Sequence, residues 1–285
     1  MTTRTSRIKR IVLLALAGAT LPLLAHAAGE AIHIDRQKWS FAGPFGRFDP
    51  NQLQRGFQVY KDACAQCHGI SRLDFRNLAQ PGGPGFKEDS VKGLAATYEV
   101  QDGPNDEGKM FKRPARLSDK IPPPYANEQE ARSIHNGAYP PDLSLITKAR
   151  SIEYQGSLFA HPFHLLKDMA IGYQEAGADY VHALLTGYAD APKDFKMSDG
   201  MQYNKAFPGH QISMPPPLTE GAIKFQDGTP NTVDQMARDV VAFLHWAGDP
   251  KQDERKRMGL LVVLYLLITA VLLYFAKKRI WAKAH

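Results

Sequence analysis

Residues 258–276, MGLLVVLYLLITAVLLYFA, run for 19 residues without a charged side chain. A core helix of a soluble protein rarely stays uncharged on every face over five turns. The length falls within the roughly 17–25 residues a helix needs to cross a bilayer. Arg255, Lys256 and Arg257 precede the run as a basic flank, Lys277, Lys278 and Arg279 follow it, and Trp281 sits near the lower interface. The expectation is a single C-terminal transmembrane helix over 258–276. Whatever else the chain folds into must hang from that anchor.

The N-terminus carries a second address. MTTRTSRIKR is basic, the apolar IVLLALAGATLPLLA follows, and Ala25-His26-Ala27 offers a small-x-small cleavage site, the plan of a signal peptide over 1–27. A mitochondrial presequence is the rival, but it would be amphipathic where this run is continuously apolar. Export places residues 28–254 outside and the KKRIWAKAH tail, 277–285, in the cytoplasm, as the positive-inside bias also requires.

This division changes the meaning of the charge. The chain has 35 Lys/Arg and 29 Asp/Glu, formally +6. Four bases lie in the first 27 residues and seven in 255–285, with no acid in either, so 24 bases face 29 acids in the head. The head is therefore about −5, which argues against nucleic acid as a partner and suits steering of a soluble partner with a positive face.

PGGPG at 81–85, PPP at 122–124, PP at 140–141 and PPP at 215–217 break the head into short pieces. Asp49-Pro50 starts a helix, Asp as cap and Pro in the first turn. Leu53, Phe57, Tyr60 and Cys64 form its stripe, and Gly69 is placed to end it. Thr232 and Gln235 make a capping-box signature for a second helix closing at Gly248. Weaker helices are expected near 178–188 and 127–137. Strand signals are few, so the head reads as mainly α with long irregular loops.

Both cysteines lie in CAQCH, residues 64–68. A redox disulfide would want a strand-to-helix setting that the surrounding sequence lacks. A structural disulfide across three residues closes too small a loop to stabilise much. Structural zinc wants four ligands, which only His161 and His164 of HPFH could complete. Cys-x-x-Cys-His in an exported chain instead reads as attachment of one covalent haem c. The two thiols add to the vinyl groups, and the adjacent His68 reaches the iron. A sixth ligand could come from Met110, Met169, Met197, Met201, Met214 or Met236. Met236 lies on a helix stripe and reads as core, whereas Met214 heads Met-Pro-Pro-Pro, a stiff loop suited to holding a thioether. His210 is the rival. No triad or carboxylate pair is arranged for catalysis, so no residue is expected to be catalytic.

Taken together, GFQVYKDACAQCHG, EVQDGPNDEGKMFKRPARLSD, NGAYPPDLSLI, YVHALLTGY, GTPNTVDQMARDVVAFLHWA and DERKRMGL resemble the cytochrome c1 family over roughly 38–282. The resemblance implies a class I-type cytochrome c head on one transmembrane helix. By position it implies Cys64 and Cys67 as thioether residues, His68 and Met214 as iron ligands, and Arg113 at a haem propionate. NGAYPPDLS would wrap the haem edge. It further implies an electron-transfer subunit of the quinol–cytochrome c oxidoreductase (cytochrome bc1) complex rather than an enzyme on its own. The implied partners are cytochrome b, a Rieske iron–sulfur protein, a soluble or membrane-bound cytochrome c, and membrane lipid. The implied location is a bacterial inner membrane with the haem domain in the periplasm. An anchored cytochrome c feeding a terminal oxidase is the alternative. Residues 157–177 resemble the insertions of bacterial members, and with no third cysteine the extra disulfide of some relatives cannot form. The acidic stretch 99–107 (Glu99, Asp102, Asp106, Glu107) is a candidate docking surface for a basic cytochrome c.

Overall fold

The computed structural model describes residues 32, 34–150, 161–171, 173 and 175–282; the expected signal peptide lies outside them. Helix α1 is Pro50–Val59, α2 Glu88–Ala96, α3 Glu128–Ile134, α4 Ile146–Ala149, α5 His161–Ile171, α6 Ala176–Thr186, α7 Val233–Gly248 and α8 Gln252–Trp281. With them, among the described residues, are 3-10 turns at Phe75–Ala79 and Pro208–His210 and two short antiparallel ribbons. In one, β1 (Glu99–Asp102) pairs with β2 (Phe111–Pro114); in the other, β3 (Gln202–Tyr203) pairs with β4 (Gln211–Ile212). The fold is mainly α, as expected.

The core is built where α1 crosses α7. Asp49 caps α1 by accepting from the Asn51 N–H at 2.9 Å, and Thr232 caps α7 by accepting from the Gln235 N–H at 3.2 Å. Leu53 and Val59 of α1 and Met236, Val240, Val241 and Phe243 of α7 are fully buried. Gly56 sits at the crossing, where a Cβ would come within 2.0 Å of the Asp239 carbonyl oxygen. Only a glycine lets the two backbones approach so closely. Beside it the buried Asp239 carboxylate takes Arg55 in a two-point grip, Nε to Oδ2 at 2.7 Å and Nη2 to Oδ1 at 3.2 Å. A fixed fork of this kind is the strong geometry for Arg on carboxylate.

The expected helix from Asp49 to Gly69 differs in one respect. Its α ladder stops at Val59, and Tyr60–Cys64 continues as a wider turn in which the Ala65 N–H reaches the Tyr60 carbonyl at 2.8 Å. Helices α6 and α3 fall within two or three residues of the expected 178–188 and 127–137. Within the insertion, α5 is helical and its Asp168 pairs with Arg36 at 2.9 Å.

Helix α8 begins before the apolar run, so the basic flank 255–257 is already helical. Its 30 residues span about 45 Å, its mean hydropathy reaches 2.6, and none of its apolar window is buried against the head. Its first turn, by contrast, is fastened to the head. Gln252 Nε2 and Lys256 Nζ both donate to the Phe41 carbonyl, at 3.2 and 2.6 Å, and Asp253 accepts from the Phe48 N–H at 3.2 Å.

Candidate functional site

The CAQCH segment closes a single turn at the end of α1. The Cys64 carbonyl accepts from both the Cys67 N–H (3.1 Å) and the His68 N–H (2.9 Å). Spacings of three and four residues put side chains on one face, so Cys64, Cys67 and His68 share it. Tyr60 fastens the turn from within by donating its hydroxyl to the His68 carbonyl at 3.1 Å. Tyr125 Oη lies 3.3 Å from the Gln66 carbonyl and 2.5 Å from His135 Nε2 on the outer side.

The two cysteines are unbridged; Cys64 is buried and Cys67 half-buried. Burial pushes the Cys64 thiol up to about 12. A redox-active cysteine needs the reverse, a thiolate stabilised near neutrality. Among the described residues no three His, Cys, Asp or Glu side chains converge as a metal-holding group; the side chains of His161 and His164 lie outside that description.

His68 Nδ1 lies 2.7 Å from the Pro141 carbonyl oxygen. A carbonyl can only accept, so Nδ1 carries the proton and Nε2 keeps its lone pair for a metal. Burial holds the imidazole below its ordinary pKa and so favours the neutral ring, with the Pro141 hydrogen bond pulling the other way. A backbone carbonyl on the far nitrogen is the usual device for orienting a ligating histidine.

That carbonyl is held by a strap of chain, 136–144. Its Leu143 N–H donates to the Gly69 carbonyl at 2.8 Å. Asp142 Oδ2 accepts from the Ser71 N–H and hydroxyl at 2.9 and 2.7 Å, while Oδ1 accepts from the Ser144 N–H at 2.8 Å. Burial alone would raise the Asp142 pKa, but hydrogen bonds from Ser144 and Ser71 hold it below its ordinary value. The NGAYPPDLS segment thus supports His68 from behind, a role the sequence did not indicate.

Met214 is half-buried, and its carbonyl accepts from the Tyr188 hydroxyl at 3.0 Å. The loop that carries it is held by the β3–β4 ribbon and by buried Asn204, whose Nδ2 donates to the Leu184 carbonyl at 2.8 Å. Nothing in the local sequence marks Tyr188 for this task. The rival His210 stacks on Tyr203, ring centroids 5.5 Å apart, with Nδ1 3.1 Å from the Asn204 carbonyl. Met236 is fully buried in the core, as its stripe position implied, and Met110 is exposed.

Arg113 is engaged by the chain's own acids. Its Nε donates to Asp102, Nη1 and Nη2 to the two oxygens of Asp119 at 2.5 and 3.0 Å, and Nη1 also to the Pro114 carbonyl at 3.0 Å. Four of its five N–H groups are therefore occupied. The acidic stretch 99–107 is likewise partly neutralised: Glu99 pairs with Lys112, Asp102 with Arg113 and Glu107 with Lys109.

The donor set fits a covalently held haem: two unpaired thiols and a neutral imidazole presenting Nε2, on one turn. The comparisons agree with this chemistry. The profile of the Cytochrome C1 family matches residues 39–284. "Cytochrome b/c1" of Bradyrhizobium diazoefficiens is 50% identical over 87% of the chain, which spans only 35% of that longer protein. "Cytochrome c1" of Blastochloris viridis is 46% identical over 93% of the chain and 92% of its own length. "Cytochrome c1-2, heme protein, mitochondrial" of Solanum tuberosum is 40% identical over 90% and 89%.

Proposed function

The chain belongs to the cytochrome C1 family, and on that premise we propose that it carries electrons from a Rieske iron–sulfur protein to a cytochrome c, on a covalent haem c, within a quinol–cytochrome c oxidoreductase that includes cytochrome b. The haem, when bound, supplies a one-electron iron couple whose potential a Met/His ligand pair raises. Cys64 and Cys67 would hold it through thioethers, and His68 Nε2 and Met214 would ligate its iron. Arg113 keeps one N–H for a propionate while its other four hold Asp102, Asp119 and the Pro114 carbonyl. The chain contributes ligation, burial and orientation, with no proton abstraction or nucleophile of its own.

The leader 1–27 is removed in this reading, residues 28–254 form the periplasmic head, 255–257 its basic flank, 258–276 the membrane span and 277–285 a cytoplasmic tail. The Lys/Arg clusters at both ends of the chain support that orientation.

The observation that carries the reading is the conjunction at residues 64–68: two unbridged cysteines beside an imidazole whose Nδ1 proton is engaged by Pro141. Mass measurement of the denatured chain tests attachment. Wild type should retain one haem, and Cys64→Ala combined with Cys67→Ala should retain none. Met214→Leu should abolish the long-wavelength charge-transfer band of thioether-ligated ferric haem and admit carbon monoxide to the ferrous form. Persistence of that band would remove Met214 from the iron.

A further inference from the structure

The segment SFAGPFGRF, residues 40–48, holds three phenylalanines that the fold treats unequally. Phe41 is fully buried, Phe48 is 8% exposed, and Phe45 is 74% exposed. The loop is closed on itself: the Arg47 N–H donates to the Ser40 carbonyl at 2.9 Å and the Ala42 N–H to the Trp39 carbonyl at 3.1 Å. A Cβ on Gly46 would lie 2.0 Å from the Ala42 carbonyl oxygen, and Pro44 fixes the backbone beside the apex. Phe45 is therefore displayed by a preset turn, in contrast to an apolar side chain on a flexible tail.

The position of that turn matters more than the exposure. Its two ends bracket the first turn of α8, Phe41 through Gln252 and Lys256, and Phe48 through Asp253. Lys256 precedes the apolar run at Met258 by two residues, about 3 Å along the helix axis. Phe45 is three residues from Phe48 and four from Phe41, within about 10–14 Å of reach. The interfacial layer between hydrocarbon and water is itself about 5–8 Å thick on each side. Arg47 in the loop and Arg257 beside the apolar run are exposed cations for lipid phosphates, and aromatic and basic side chains are the residues that settle in that layer.

We propose that the 40–48 loop is a membrane-interface finger, with Phe45 seated among the lipids around α8. The bilayer is its occupant because the loop is fastened to the membrane-spanning helix itself. Together, loop and helix give the head two points of contact with the membrane and fix its tilt.

A nitroxide at position 45 (Phe45→Cys) tests this in the full, haem-loaded chain, reduced to the ferrous state, in nanodiscs of phosphatidylcholine and phosphatidylglycerol. The same label at Asp106 (Asp106→Cys), on the β1–β2 tip, is the reference. The ratio of oxygen to nickel-chelate accessibility should be at least about threefold higher at 45 than at 106, since oxygen partitions into lipid and the chelate into water. Equal ratios would place Phe45 in water and overturn the proposal. So would a label occluded from both reagents in preparations that retain partner subunits, because a protein would then be the occupant. If Phe45→Cys loads no haem, a label at Pro44 reads the same depth.

Discussion

Individual side chains make the iron site a matter of support as much as ligation. Met214, the proposed second iron ligand, has its carbonyl held by the Tyr188 hydroxyl. Removing it in Tyr188→Phe loses a hydrogen bond worth about 0.5–1.5 kcal/mol. Binding of cyanide to the ferric chain, which requires Met214 to leave, should therefore tighten about 2–10-fold, and unchanged binding would show that the loop needs no such hold. His245 is a buried histidine of another kind. It is 1% exposed, stacks on Phe41 at 4.4 Å, and burial, with Lys148 nearby, lowers its pKa to about 3. The folded state thus refuses a proton that the unfolded chain accepts below its ordinary value near 6.5. Stability is full above that pH and falls as pH drops toward 3, by up to about 1.4 kcal/mol per pH unit. Denaturant melts at pH 7, 5 and 4 should show a shallower decline in His245→Phe than in wild type, whereas parallel profiles would assign the acid sensitivity elsewhere. Neither residue's role is visible in sequence, because each depends on a contact with a distant segment.

Elements were legible in proportion to the signals they carry. Helix α7 could be read at both ends because Thr232 caps it, a continuous apolar stripe fills it and Gly248 closes it. Helix α2, EDSVKGLAA, has no side-chain cap and buries only Val91 and Ala95, so it leaves little pattern to find. The β1–β2 ribbon is exposed or half-exposed at every position, and EVQD carries a single apolar side chain, so its sequence lacks the apolar alternation that marks a half-buried strand. The attachment turn was legible from five residues, but its proximal support was not. Pro141 acts on His68 through a main-chain carbonyl 73 residues away, and main-chain acceptors have no sequence signature. The α1–α7 crossing is the element-scale prediction. Gly56→Ala drives a methyl into the Asp239 carbonyl and should cost about 1–3 kcal/mol in denaturant melts of the haem-loaded chain. A variant as stable as wild type would mean that the two helices do not pack backbone to backbone.

Over the whole molecule, charge and anchoring set how the head meets its partners. A formal charge of about −5 on residues 28–254 favours a basic partner, yet three of the four acids in 99–107 already hold a lysine or arginine. Long-range steering therefore belongs to the head as a whole more than to that one stretch. Helix α8 starts within the head, fastened through Phe41 and Phe48, so the site is carried at a set height above the membrane instead of swinging on a loose tether. On the proposed function this head relays electrons within a quinol-oxidising assembly. The chain, extracted in mild detergent with whatever subunits it retains and mixed with a ubiquinol analogue, tests it through the absorbance of its own haem. The expected result is co-purification with a cytochrome b and a Rieske protein, reduction of the haem by quinol, and reoxidation on adding ferric cytochrome c. Recovery of a lone haem chain that quinol does not reduce would contradict it.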